Sequence, residues 1–97
     1  MLTSKQRAYV RSLSNGINSI MQVGKNGVTP EVTAAVSEAF NTRELVKISI
    51  LKNCMEDARD IAEIISERTR SEVVCVIGKK IVFYKPFKDK PVIELPK

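Results

Sequence analysis

Apolar residues alternate along the chain between helical and strand spacing, and this alternation predicts seven secondary-structure elements. Helical spacing covers three stretches, which run from about Thr3 to Ser14, from Pro30 to Phe40 and from about Met55 to Arg68. Strand spacing covers residues 19–23, residues 44–51 and two strands within 72–85 that are joined by the two-residue link Gly78-Lys79. The order α-β-α-β-α-β-β predicts the α/β fold class in a single compact domain.

The same pattern predicts which side of each element is buried. In the first helix, Arg7 and Arg11 occupy the face away from an apolar arc formed by Leu2, Tyr9, Val10 and Leu13. The strand from Val73 to Ile77 is apolar on both faces, which predicts a central strand covered from both sides. The third helix is predicted to bury Ala58, Ile61, Ala62 and Ile65.

Length and composition favour one ordinary globular domain spanning residues 1–97. The chain has 97 residues, of which 43% are hydrophobic and 28% charged. No apolar run approaches the roughly 18 residues of a membrane span, and the N-terminus lacks the apolar core of a secretory signal. We therefore expect a cytoplasmic protein without a membrane partner. Residues 86–97 contain three prolines and no helical period, and they form a Pro- and Lys-containing C-terminal extension.

Histidine is absent from the sequence, which has only two cysteines. This excludes the common zinc sites and any Ser-His or Cys-His catalytic pair, so no enzymatic activity, metal, cofactor or small-molecule substrate is predicted. Cys75 lies inside an apolar run and is interpreted as a small buried hydrophobic residue. Cys54 lies near a loop or helix start and is interpreted as a partly exposed thiol. A cytoplasmic protein is not expected to join them in a disulfide.

The net charge of +5 is unevenly distributed along the sequence. The first 30 residues contain no acid, the middle of the chain holds most of the acids, and the C-terminal part is basic again through residues such as Lys79 and Lys80. If the two basic segments meet in space, they favour a polyanion on one side of the molecule. The alternative is that these lysines only keep the protein in solution.

A Gly-Lys-Asn-Gly loop, residues 24–27, joins the first strand to the second helix. Thr29 is a predicted N-cap and Pro30 suits the first helical position, so unpaired N–H groups and the helix dipole point toward the loop. Gly24 and Gly27 allow a phosphate to approach the main chain, while Lys25 and Asn26 offer polar contacts. The alternative is a tight loop whose glycines only adopt positive φ angles. The loop is not a P-loop, because the G-x-x-x-x-G-K-[ST] pattern is absent.

Four blocks together resemble the YhbY family, the stand-alone form of the CRM (chloroplast RNA splicing and ribosome maturation) domain. They read LTSKQRAYVRSL, QVGKNGVTPEV, ELVKISIL and VVCVIGKKIVFYK, and the resemblance extends from Leu2 to about Lys85. It implies a four-stranded mixed sheet with helices, similar to the C-terminal domain of translation initiation factor three. It also implies RNA binding, with the family's G-x-x-G on residues 24–27, its first-helix K-Q-R on Lys5, Gln6 and Arg7, and its second-strand lysine on Lys47.

The leading hypothesis is an RNA-binding protein that acts in assembly of the large ribosomal subunit and grips structured precursor rRNA, within the pre-ribosomal particle, by its phosphates. The candidate RNA-binding residues are Lys5, Arg7, Arg11, Gly24, Lys25, Asn26, Gly27, Lys47, Lys79 and Lys80. Alternatives remain for several of these residues. Arg7 and Arg11 could form only a solvated helix face, and the Lys47 side chain could lie over the edge of the sheet without contacting RNA. Tyr84 is either a half-buried strand aromatic or a base-stacking platform.

Two other hypotheses remain open at this point. One is a protein-interaction adaptor that docks an assembly factor through its acidic third helix, whose acids are Glu56, Asp57, Asp60, Glu63 and Glu67. The other is an enzyme that binds a nucleotide at the Gly-Lys-Asn-Gly loop, for which the sequence offers no catalytic group.

Overall fold

Three helices and four strands follow one another in the predicted order. The helices are α1 (Ser4–Ser14), α2 (Pro30–Ala39) and α3 (Ala58–Thr69). The strands are β1 (Met21–Val23), β2 (Leu45–Ile50), β3 (Glu72–Ile77) and β4 (Lys80–Tyr84). The computed structural model describes residues 2–87 and residue 93, so most of the predicted extension 86–97 lies outside the described residues.

The four strands form one mixed sheet in the order β1-β2-β4-β3, which confirms the predicted four-stranded mixed sheet. β1 is parallel to β2, whereas β4 is antiparallel to both of its neighbours. The prediction that the strand from Val73 to Ile77 is central is wrong, because β3 lies at an edge. Its two faces are apolar because α1 packs against one of them and α3 against the other.

Apolar clusters lie on both faces of the sheet. The larger one packs α2 and α3 against β1, β2 and β4, around Phe83, Ile48 and Ile61. The smaller one packs α1 against the opposite face, around Val10 and Val82. We refer to this opposite face as the α1 face.

The predicted apolar arc of α1 is partly wrong. Val10 is fully buried and Leu2 is buried, but Tyr9 and Leu13 are each 40% exposed. Among the described elements, α1 is the helix that packs on this face and it covers only part of it, so one row of its side chains reaches the sheet and the flanking apolar residues face solvent. Tyr84 is buried in the same cluster, which excludes its ring as an open base-stacking platform.

Side-chain caps determine where each helix begins. Thr3 and Gln6 form a reciprocal capping box at α1, and Thr29 caps α2 by accepting from the backbone N–H of Val32 at 3.2 Å. In α3 the cap is Asp57, which accepts from the N–H of Arg59 at 2.7 Å. The helix therefore starts after Asp57, not at Met55 as predicted, and Met55 is 91% exposed.

The two cysteines exchange the roles predicted for them. Cys54 is buried in the larger apolar cluster, because the loop after β2 folds back over the end of the sheet. Cys75 is half-buried on the α1 face, because its edge strand is only partly covered by α1. Both thiols are free.

Glu44, immediately before β2, is a buried acid that connects to the C-terminal residues. Its carboxylate accepts the backbone N–H of Phe87 at 2.8 Å and that of Ile93 at 2.6 Å. These hydrogen bonds hold Phe87 and Ile93 against the body of the domain. Among the described residues, no helix has the length and apolar character needed to cross a membrane.

Candidate nucleic-acid interface

Three loops meet at one end of the sheet, which we call the loop end. The Gly-Lys-Asn-Gly loop follows β1, and residues 51–57 follow β2, which is parallel to β1 and ends beside it. The Gly78-Lys79 turn lies there too, because β4 begins beside the end of β2 and the N–H of Ile50 donates to the carbonyl of Lys79 at 2.7 Å. The loop end therefore brings together segments that are far apart in the sequence.

The Gly-Lys-Asn-Gly loop is a tight turn with an exposed tip. The N–H of Gly27 donates to the carbonyl of Gly24 at 2.9 Å, and Gly27 has a φ of 66°, which favours glycine. Lys25 and Asn26 form the tip and are exposed to solvent. The capped N-terminus of α2 follows two residues later, as predicted.

The protein's own chain already occupies the space beside these glycines. A Cβ at Gly24 would lie 3.2 Å from Cδ1 of Leu51, and a Cβ at Gly27 would lie only 2.0 Å from Oε1 of Glu56. Gly27 is accordingly buried, whereas Glu56 is itself exposed. Both glycines thus have a packing role, and the exposed tip, Lys25 and Asn26, is the part of the loop open to a ligand.

Cationic side chains lie at the loop end and continue onto the α1 face. Lys25, Lys52 and Lys79 are exposed in the three loops. On the adjoining α1 face, Lys47 and Lys80 border a cavity of about 90 Å³ together with Cys75. The two basic segments of the sequence therefore meet at the loop end, where Lys25 comes from the first and Lys79 from the second. This meeting is the condition under which the charge distribution favours a polyanion.

Arg11 and Arg7 differ in their surroundings. Arg11 is exposed and lines a groove beside β3. Arg7 was predicted to face away from the sheet, and this is wrong: its guanidinium donates to the carbonyls of Val73 and, at 3.3 Å, of Val74, and it lies 3.5 Å from Glu72. These carbonyls lie where a register shift interrupts the pairing of β3 with β4. The Arg7 guanidinium therefore donates hydrogen bonds to carbonyls at an irregular edge of the sheet.

Replacing Arg7 with alanine is expected to lower the free energy of unfolding by about 1 to 2 kcal/mol, because it removes charge-assisted hydrogen bonds to β3. Arg11→Ala is the matched control on the same helix and is expected to change stability by less than about 0.5 kcal/mol. Urea denaturation of both variants measures the difference. Equal stabilities would contradict the structural role of Arg7.

The pKa of the Cys75 thiol is set mainly by burial and only secondarily by the cations around it. Burial raises its pKa above the ordinary value, while Arg11, Lys47 and Arg7 act in the opposite direction. Arg7 and Arg11 line the same groove as Cys75, and Lys47 lines the adjoining cavity, so cations from two elements lie around this thiol.

The remaining predicted residue, Lys5, does not join this cluster. It is exposed in the first turn of α1, near the end of the sheet where the N–H of Leu2 donates to Glu72. This is the end opposite the Gly-Lys-Asn-Gly loop.

Sequence reasoning missed the residues that follow β2. Lys52 adds a cation to the loop end, and Asn53 and Glu56 lie against the two glycines. The only signal that points to them is their position directly after a strand. That position indicates a place beside the Gly-Lys-Asn-Gly loop only if β2 is known to pair in parallel with β1, and the sequence pattern does not show strand pairing.

The fold and the site together define a class of protein. It is an α/β domain with three helices, a four-stranded sheet and a Gly-x-x-Gly loop at the cationic end of that sheet. The chain belongs to the CRS1/YhbY (CRM) domain family, whose model matches residues 2–85. It is 45% identical over 99% of its length to all of the "Probable RNA-binding protein YqeI" of Bacillus subtilis. It is 30% identical over 99% of its length to an "RNA-binding protein" of Haemophilus influenzae, covering 96% of that protein.

A solved structure has the same fold. The solution structure of a Staphylococcus aureus protein, described as a candidate RNA-binding protein, matches with a TM-score of 0.84 and 44% identity. The match covers 99% of this chain and 100% of that one.

Proposed function

We propose that this protein binds structured RNA by its phosphates and acts, without catalysing a reaction, in assembly of the large ribosomal subunit. One observation carries the proposal: the loop end gathers Lys25, Lys52 and Lys79 from three separate loops. Lys80, Lys47 and Arg11 extend this positive surface onto the α1 face. RNA is supported as the partner because this chain belongs to the CRM family and two of its relatives are named as RNA-binding proteins.

The geometry supports a specific division of labour. Exposed Lys25 and Asn26 contact phosphate at the tip of the loop, and Gly24 and Gly27 keep that tip close to residues 51–57. Arg7 is engaged with β3, so its contribution to RNA binding is mainly to hold α1 in place. Lys5 contributes only to an RNA long enough to pass along α1.

Salt dependence tests the phosphate contacts directly. Each contacted phosphate is expected to add roughly 0.7 to 0.9 to the slope of log affinity against log salt concentration. Titration of a structured fragment of precursor large-subunit rRNA at several salt concentrations gives this slope. An affinity that does not change with salt would contradict the proposal.

Crosslinking in cells tests the biological partner. Sequencing of the crosslinked RNA is expected to recover precursor large-subunit rRNA above its abundance in the cell. Recovery in proportion to abundance would remove the ribosomal part of the proposal and leave the RNA-binding part to the titration.

Replacing Glu56 with glutamine is expected to strengthen RNA binding about threefold to tenfold at low salt, because it removes a negative charge beside the loop that binds phosphate. The gain should shrink as salt rises. Glu67→Gln is the matched control, since this exposed acid lies near the other end of α3. An equal effect of the two changes would mean that Glu56 does not act at the loop.

The adaptor hypothesis retains one supporting observation, which is that Asp60, Glu63 and Glu67 are exposed on α3. An adaptor with Asp60 and Glu63 changed to lysine would lose association with the pre-ribosomal particle yet keep its affinity for isolated RNA. Retained association would make this face of α3 a solvated surface.

A further inference from the structure

A groove of about 490 Å³ runs between α1 and the edge strand β3. Arg11, Ser12 and Asn15 line it from the helix, and Val74, Cys75 and Ile77 line it from the strand. The groove exists because β3 is an edge strand of the sheet, so within the described part of the chain no further strand covers this side of α1.

The groove continues toward the phosphate-binding surface proposed above. The smaller cavity beside it, which Lys47 and Lys80 border, shares Asn15, Cys75 and Ile77 with it. Ile77 directly precedes the Gly78-Lys79 turn, so the two adjoining cavities lie on the side of α1 that is nearest the loop end.

The lining combines three kinds of chemistry. Ile77 is 50% exposed although it is a large apolar residue, and it offers an apolar contact. Ser12 and Asn15 offer hydrogen-bond donors and acceptors, and Arg11 offers a positive charge. Among the residues that the structure describes, none that lines either cavity is an acid. A ligand with an apolar face, polar edges and a negative charge fits this combination, and an unstacked nucleotide has all three.

We propose that the groove between α1 and β3 receives an unpaired nucleotide of the bound RNA, with its base against Ile77 and its phosphate at Arg11. The proposal rests on the proposed RNA-binding function and adds a preference for RNA that carries an unpaired residue. A base-paired nucleotide is held in its helix by stacking and pairing, whereas a bulged or terminal one is free to enter a protein groove.

Two RNA hairpins of the same stem sequence test the preference, one with a single bulged adenosine and one without. The unaltered protein is expected to bind the bulged hairpin about fivefold more tightly, since the unpaired base covers the exposed half of the apolar Ile77 side chain. Ile77→Ser is expected to abolish most of this preference while retaining the affinity for the paired hairpin. Leu13→Ser is the matched control, because it removes an apolar side chain that is 40% exposed on α1 and lines neither cavity, and it should retain the preference.

The two cysteines provide a second readout without any mutation. Cys75 lines the groove, whereas Cys54 is buried in the other apolar cluster. Because Cys54 is buried, alkylation of the folded protein reports on Cys75; with either hairpin at a saturating concentration, the bulged hairpin is expected to slow this alkylation more than the paired hairpin does. Because burial raises the pKa of Cys75, the thiolate is scarce at neutral pH, and the assay is best run at mildly alkaline pH.

The outcomes separate this inference from the proposed function. Equal affinity for both hairpins, or equal protection of Cys75 by them, would overturn the groove proposal while leaving RNA binding intact. Failure to bind either hairpin at low salt would overturn both proposals.

Discussion

Replacing Lys25 and Lys52 together with alanine is expected to weaken RNA binding roughly thirtyfold at low salt, since each pair of opposite charges about 4 Å apart in water contributes about 1 kcal/mol. The slope of log affinity against log salt should also fall by about 1.4 to 1.8, corresponding to two lost phosphate contacts. Both lysines are exposed in loops, so the melting temperature should remain that of the unaltered protein. Filter binding or fluorescence anisotropy at two salt concentrations measures both quantities.

A double variant at the opposite end of the sheet provides the control. Arg43 precedes β2 and Arg68 lies in the last turn of α3, and both are exposed. Changing these two arginines to alanine removes the same net charge from the end away from the Gly-Lys-Asn-Gly loop. If this variant loses as much affinity as the lysine variant, RNA responds to total charge and the loop end has no special role.

Replacing Glu44 with alanine is expected to cost about 2 to 4 kcal/mol of the free energy of unfolding, because hydrogen bonds to a buried carboxylate are lost and two backbone N–H groups lose their acceptor. For a domain of this length, such a loss corresponds to a fall in melting temperature of roughly 10 to 20 °C. Thermal unfolding followed by circular dichroism measures it.

Two variants define the cause of the Glu44 effect. Glu44→Gln keeps one carbonyl acceptor of similar shape and is expected to lose less stability than Glu44→Ala. Glu38→Ala removes an exposed acid on α2 and should stay close to the unaltered protein. A Glu44→Ala variant as stable as Glu38→Ala would contradict the anchoring of the C-terminal residues by this carboxylate.

Local signals predicted the elements well because they depend on near neighbours in the chain. Thr29 and Pro30 mark the start of α2 through a cap and a fixed φ angle, and both features are found in the structure. The Gly78-Lys79 turn is recognisable for the same reason, since Gly78 supplies a positive φ of 56°. Where a competing local signal existed, as with Asp57 beyond Met55, the cap determined the helix start and the apolar pattern did not.

The sequence predictions were wrong where the position or exposure of a residue depended on which other element packs against its own. An apolar strand such as β3 is compatible with a central position or with an edge covered on both faces, and only the packing of α1 and α3 distinguishes them. The exposure of Cys54 and Cys75 was inverted for the same reason. Arg7 lies on the side of α1 that its helical position did not indicate, because the irregular edge of β3 presents carbonyls that its guanidinium binds.

By itself, the sequence determined the order of elements, the Thr29 cap of α2, the hairpin and the family, because each depends on residue types at short, fixed spacings. Tertiary structure alone decided the makeup of the loop end, since parallel pairing of β1 with β2 places Lys52 and Glu56 beside a loop 25 or more residues earlier. It also decided that Gly27 is covered by Glu56, and that a groove opens between α1 and β3. Contacts between distant segments depend on strand order and helix placement, which the hydrophobic pattern leaves undetermined.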